Sequence, residues 1–136
     1  MNNKFIDKLA WIYIKDRKVL GARSKGKIPY YIPGGKRETD ESDEQALMRE
    51  VTEELGIQLI PESIKHYGTF EAQAHGKPDG MMVRMICYVA QFNGQIKPMA
   101  EVEELGWLTY SDRDTEKCSP VDKLILDDLR AKALID

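Results

Sequence analysis

The run from Ser42 to Gly56, "SDEQALMREVTEELG", constrains this chain most, because almost every position in it argues for one helix with a fixed start, face and end. Ser42-Asp43-Glu44-Gln45 can form a capping box, with the serine hydroxyl and the glutamine side chain each satisfying a free backbone amide of the first turn. Leu47, Val51 and Leu55 recur at every fourth position, with Met48 beside them, and make one apolar stripe. Gly56 suits the left-handed position that ends a helix. Such a helix must lay its stripe on another layer. At about 100° per residue, Glu50, Glu53 and Glu54 share a face roughly a third of a turn from that stripe.

Two readings fit these three carboxylates. On a solvated face, like charges at this spacing cost only about 0.2–0.5 kcal/mol per pair, so clustering alone proves nothing. In a partly enclosed site the repulsion grows as the effective dielectric falls, and a cation offsets it. Ligation by carboxylates alone is hard-oxygen chemistry and points to Mg²⁺ or Mn²⁺, ions that share their ligands with substrate phosphates and can activate a bound water. The residues by themselves leave both readings open.

The flanking segments supply the other layers. Lys8–Ile14 ("KLAWIYI") is β-rich and apolar at alternating positions on both faces, as in a strand covered on two sides. A polar turn at Lys15–Lys18 and a second strand at Val19–Arg23 predict a hairpin. Ser24–Ile28 is a basic loop, and Pro29–Gly35 is a short strand that ends at Pro33 and the double glycine. Ser63–Ala72 and Met81–Phe92 read as a strand pair around the loop His75–Gly80. Gly106–Tyr110 is a further strand after an acidic loop. A last helix begins with Ser119 as N-cap and Pro120 as its first residue, with Val121, Leu124, Ile125 and Leu129 on the buried face. This order, strands then helix repeated twice, predicts an α/β fold with a mixed sheet between two helices, and one domain over residues 1–136.

Charge and composition exclude several functions. A net charge of −3 gives no global basic field for nucleic acid. The charge is uneven, acidic from Arg37 to Leu55 and basic from Lys15 to Lys27, an arrangement that suits a phosphorylated ligand with its cation. Cys87 lies in the apolar run "MICYVA" and reads as a buried thiol; with Cys118 it forms no Cys-x-x-Cys motif, which argues against zinc or redox chemistry. The opening "MNNKFIDKLAW" lacks a signal-peptide core, and no apolar window reaches the roughly 18 residues of a membrane span, so a soluble cytoplasmic protein is expected.

The spacing around the acidic helix carries a resemblance. Gly35, then Glu41, then Arg49-Glu50-Val51-Thr52-Glu53-Glu54-Leu55-Gly56-Ile57 fill every fixed position of a 23-residue pattern that resembles the complete Nudix box of the MutT/Nudix hydrolases. The resemblance implies a Nudix-type α/β/α sandwich. It also implies metal-dependent hydrolysis, with water attacking a pyrophosphate phosphorus in a nucleoside diphosphate linked to a group X. Carried over position by position, Glu50, Glu53 and Glu54 are expected to bind Mg²⁺ (or Mn²⁺), one of them acting as base. Arg49 is expected to orient a glutamate, Glu41 to support the site from the preceding loop, and Gly35 and Gly56 to provide backbone geometry. Some relatives add a carboxylate shortly before a tryptophan; of Glu101, Glu103 and Glu104 ahead of Trp107, Glu101 is favoured here. Arg23 and Lys36 resemble positions that meet phosphate in relatives. One departure is visible: Glu38-Thr39-Asp40-Glu41 has Asp40 where relatives commonly have glycine, and aspartate tolerates the left-handed turn better than most residues.

The box leaves X open. Around Glu71–Gln73 the chain lacks the proline or tyrosine that marks ADP-ribose and dinucleoside-polyphosphate members, which lowers those readings, and the compact length without an extra domain favours a MutT-like nucleoside triphosphate pyrophosphohydrolase. Tyr30, Tyr31 and Phe70 are aromatic candidates for stacking on a base, with core packing as the competing reading of each; His75 reads as an exposed loop residue. The alternatives are a nucleotide-binding sensor without turnover, or a hydrolase of a nucleotide sugar or dinucleotide. A homodimer rests on the resemblance alone.

Overall fold

The protein's structure is a computed structural model that describes residues 4–136; positions 1–3 of the opening segment, read above as no leader, lie outside the described residues. The central strand β1 (Lys4–Trp11) pairs in parallel with β7 (Met81–Val89) and antiparallel with β4 (Gly34–Lys36). β6 (Lys65–Gln73) adds to the far side of β7, giving a mixed sheet in the order β4-β1-β7-β6. A second sheet joins β2 (Ile14–Lys15), β3 (Lys18–Ser24) and β9 (Val102–Leu108), and β5 (Gln58–Leu59) pairs with β8 (Phe92–Asn93).

Alternation along β1 explains the sandwich. Leu9 and Trp11 are buried with Leu47, Val51 and Leu55 of helix α1 (Asp43–Leu55). The intervening Ala10 and Ile12 are buried with Ile125, Leu126 and Leu129 of helix α2 (Pro120–Ala131). Successive side chains of a strand point to opposite faces, so one strand serves two cores and the sheet lies between the helices. α1 forms as its sequence dictates. Ser42 and Gln45 make the reciprocal capping box, and Gly56 closes the helix at φ 70° with its amide on the Thr52 carbonyl. Cys87 is fully buried and unpaired.

Several expected elements are corrected. The segment Lys8–Ile14 does not run as one hairpin arm. β1 ends at Trp11, and only Ile14–Lys15 pairs with Val19 and Lys18 across a two-residue turn. Asp16 and Arg17 both take positive φ there, 53° and 62°, the conformation that matches a tight turn to strand twist. β3 pairs instead with β9. In Pro29–Gly35 the strand lies at the double glycine and Lys36, while Tyr30 and Tyr31 form only isolated bridges. β9 reaches back to Val102, so Glu103 and Glu104 are strand residues, not loop acids. On α2, Leu124 is 38% exposed, whereas Leu126 and Asp122 are fully buried. The buried face is centred about 80° round from Val121, and Leu124 falls some 60° to the other side of it.

Candidate active site

The site is built where α1 meets the double glycine of β4. The Gly34 amide donates to Glu54 Oε1 at 3.1 Å. Gly35 lies directly under the Glu50 carboxylate, so close that any Cβ at position 35 would overlap it. At Gly34, φ is 150° and a Cβ would overlap the Leu9 carbonyl. Two successive residues without side chains therefore let two helix carboxylates rest on the edge of the sheet.

Arg49 organises the acidic face. Its Nε and Nη2 donate to the two oxygens of Glu41 at 2.7 and 2.8 Å, a bidentate pair, and its Nη1 donates to Glu50 Oε1 at 2.7 Å. The same Nη1 lies 3.5 Å from Glu53, and Nη2 donates to the Lys36 carbonyl at 3.1 Å. Arg49 thus ties the loop before the helix to β4 and holds Glu50 in place. Hydrogen bonding from Arg49 keeps the Glu41 carboxyl down at about 2. Asp40 takes φ 69°, so the turn accepts aspartate in the left-handed region.

The three helix glutamates differ in environment. Burial pushes Glu54 up to about 8, helped by the Glu50 and Glu53 charges and opposed by the Gly34 amide and the Lys8 ammonium. Glu50 is also raised by burial, against the pull of Arg49. The Glu53 side chain is 55% exposed. Among the described residues no three acidic, imidazole or thiol side chains converge into a ready-made ion cage. Glu50 is held by Arg49 and Glu54 by an amide, so closing around an ion requires side-chain rotation. The donor set nevertheless fits a hard divalent cation: it is all carboxylate, and among the described residues no cationic side chain pairs with the half-buried Glu54.

Glu50 and Glu54 open onto a cavity of about 730 Å³. Gly34, Gly35, Lys36, Tyr30 and Tyr31 line it, as does His75 from its rim. Gln73 folds the rim loop by donating to the Pro78 carbonyl at 2.8 Å and accepting from the Gly80 amide at 3.0 Å. Tyr30, Tyr31 and Lys36 are therefore brought to the cavity, whereas Phe70 packs against the core. Arg23 stands behind this lining: it donates to Glu103 and Glu104 at 3.0 Å each, and the Tyr30 hydroxyl donates to the same Glu104 oxygen at 2.9 Å. Glu101 is exposed, just beyond a segment whose Lys97 and Met99 amides cover the Leu55 and Glu54 carbonyls at the end of α1.

Lys8 and Asp122 are among the lining residues that sequence reasoning did not single out. Lys8 lies opposite Lys36 in the β1–β4 ladder, so their side chains share a face. Asp122 sits in the first turn of α2 with no exposure at all. Its Oδ2 accepts from the Ser119 hydroxyl at 3.0 Å, and its Oδ1 has no partner among the described residues. Ser119 is the N-cap by position, yet its hydroxyl serves this carboxylate and no helix amide. Burial pushes Asp122 up to about 7, opposed by Ser119 and Lys8. Helical spacing with Leu126 and Leu129 is the signal that would have placed Asp122 inside.

The NUDIX domain family model matches residues 8–129, nearly the whole chain. The chain belongs to the NUDIX domain family. It is similar to the CTP pyrophosphohydrolase of Escherichia coli (strain K12), 29% identical over 129 residues that cover 91% of this chain and 90% of the relative. The solution structure of the E. coli ORF135 protein matches with a TM-score of 0.72 at 27% identity, covering 98% of this chain and 96% of that one. A MutT NUDIX hydrolase from Burkholderia pseudomallei shares the fold with a TM-score of 0.71 at 22% identity, covering 91% and 97% of the two chains. This Nudix domain is thus a hydrolase of pyrophosphate bonds, and the box residues resting on the β4 glycines form its candidate active site.

Proposed function

We infer that this Nudix hydrolase converts a nucleoside triphosphate and water to the monophosphate and pyrophosphate, in the cytoplasm, with Mg²⁺ or Mn²⁺. The observation that carries the reading is the seating of Glu50 and Glu54 on Gly35 and Gly34 in the lining of a cavity large enough for a nucleotide. Glu50, Glu53 and Glu54 would hold a divalent ion, which when bound would neutralise phosphate charge and acidify a water. The chain's own residues do the rest. Arg49 fixes Glu50 and, through Glu41, the approach of the loop. Glu53, the most exposed of the three, has the freedom to take a proton from the attacking water. Lys36 beside the carboxylates offers a cation to the phosphates. As the P–O bond to the leaving pyrophosphate breaks, these positive groups stabilise the charge that develops. The similar E. coli CTP pyrophosphohydrolase makes cytidine nucleotides the first to test.

The test is a panel of ribo- and deoxynucleoside triphosphates, nucleotide sugars and dinucleotides, with Mg²⁺ or Mn²⁺ and products identified. Monophosphate and pyrophosphate from a triphosphate are expected. Turnover of only a nucleotide sugar or dinucleotide would replace the substrate class, and silence across the panel would favour a sensor.

A further inference from the structure

Tyr30 is backed by residues that the cavity itself does not touch. Gly21 and Gly106 stand directly opposite each other in the β3–β9 ladder. Neither lines the cavity, whereas Tyr30 does, so the ring separates the paired glycines from it. A Cβ at position 106 would stand 2.8 Å from the Tyr30 ring, and one at position 21 would stand 3.3 Å from the Tyr30 Cβ. Facing glycines weaken a strand pair, because neither packs a side chain. Here they leave a bare shelf on which one aromatic ring lies close.

The ring is also held at its hydroxyl. Tyr30 donates to Glu104 Oε1 at 2.9 Å, and Arg23 Nη2 donates to the same oxygen at 3.0 Å. Arg23 Nη1 donates to Glu103 at 3.0 Å and to the Lys27 carbonyl at 3.1 Å. One guanidinium thus ties β9 to the ring and to the loop at Lys27, and both the ring and Lys27 line the cavity. Arg23, Glu103 and Glu104 do not line it. Two carboxylates already offset the Arg23 charge, and a phosphate would have to displace one of them to use it. Both glutamates are half exposed, so these bonds add little to stability. Their consequence is geometric, since they fix the tilt of a ring in the cavity wall. A ring fixed at its face and at its hydroxyl is a rigid surface for a planar heterocycle.

We propose that Tyr30 carries the planar base of the nucleotide and that Arg23 is a positioning residue, acting on the substrate through Glu104 and Tyr30 and not through a phosphate. The Gly21–Gly106 shelf sets the depth of the ring. This rests on the reading of the cavity as a nucleotide site and assigns one of its walls.

The experiment compares the wild type with Arg23→Met, Tyr30→Phe, Glu104→Gln, Glu104→Ala and the double variant Arg23→Met/Tyr30→Phe, each checked by circular dichroism. KM and kcat are measured for the triphosphate that the panel turns over fastest, with inorganic pyrophosphate as product inhibitor. CMP, AMP, UMP and GMP are titrated calorimetrically in EDTA. Arg23→Met and Tyr30→Phe should each raise KM and weaken monophosphate binding by about tenfold, with kcat held within about twofold and pyrophosphate inhibition unchanged. The double variant should be no worse than the worse single variant, because both break one relay. Glu104→Gln keeps an oxygen acceptor and should hold KM, whereas Glu104→Ala should not. Weaker pyrophosphate inhibition in Arg23→Met overturns the proposal, because the guanidinium then meets phosphate directly. So do additive losses in the double variant, unchanged nucleotide affinity in both folded single variants, or a wild type that binds no monophosphate. If Arg23→Met does not fold, Tyr30→Phe and the two Glu104 variants decide. If no triphosphate is turned over, the hydrolase reading falls and the relay is decided by the monophosphate titrations.

Discussion

The sharpest physical consequence of the cavity is a pH-dependent cost at Asp122, removable by Asp122→Asn. Burial lifts this carboxyl from its ordinary 3.8 to about 7 in the folded protein. A raised acid binds its proton more tightly folded than unfolded, so folding is favoured while the proton is on. That stability is complete below pH 3.8 and is lost as the pH rises through about 7. Each tenfold in proton affinity corresponds to ~1.4 kcal/mol, so the whole climb is worth about 4 kcal/mol. Asparagine is neutral throughout and lacks this slope. Between pH 5 and pH 8 the variant should therefore gain roughly 3 kcal/mol relative to wild type. Urea unfolding of both proteins at half-unit steps over that range measures it, and taking the difference cancels groups common to both. Parallel stability curves would refute the reasoning. They would mean that Oδ1 already has a partner and that Asp122 ionises in the fold without cost.

The two β4 glycines should fail in different ways. Gly34→Ala drives a methyl into the Leu9 carbonyl at a φ hostile to side chains, and should lower stability by about 1–3 kcal/mol in urea unfolding. Gly35→Ala meets only the movable end of Glu50, so melting temperature should hold while turnover falls by about a hundredfold or more. Equal stability loss in both would break that distinction. Glu53→Gln should lower kcat by orders of magnitude without shifting the melting temperature, since its side chain is 55% exposed; unchanged kcat removes Glu53 from the reaction.

The box was legible because its geometry is local. Residues 41–56 meet through one helix and one turn, so spacing at i, i+3 and i+4 already fixes which side chains share a face. The capping box and the Gly56 stop follow from the same short range, and both appear in the structure as expected. The two-sided character of Lys8–Ile14 was legible too, since alternation along β1 does not depend on its partner strands. Partner choice was not legible. Nothing in Val19–Arg23 says that it will pair with Val102–Leu108 in preference to β1, because both registers bury the same residues and the decision belongs to the whole assembly.

The same division separates the residues of the cavity lining. At the catalytic end, the carboxylates stand within one helix, and the glycines that seat them precede it in the box. Elsewhere in the lining, Lys8 and Asp122 are 114 positions apart in the chain and meet the same cavity only because β1 lies between α1 and α2. In sequence, each has an ordinary explanation: a lysine at a strand margin, an acid in the first turn of a helix where the dipole favours it. Only burial distinguishes them. An aspartate in the first turn of α2 gains from the dipole while solvated, yet this one is enclosed, with one oxygen spent on Ser119 and the other unpaired. The dipole's benefit, at most about 2 kcal/mol, is smaller than the roughly 4 kcal/mol cost of ionisation there, so helix stability does not account for the residue.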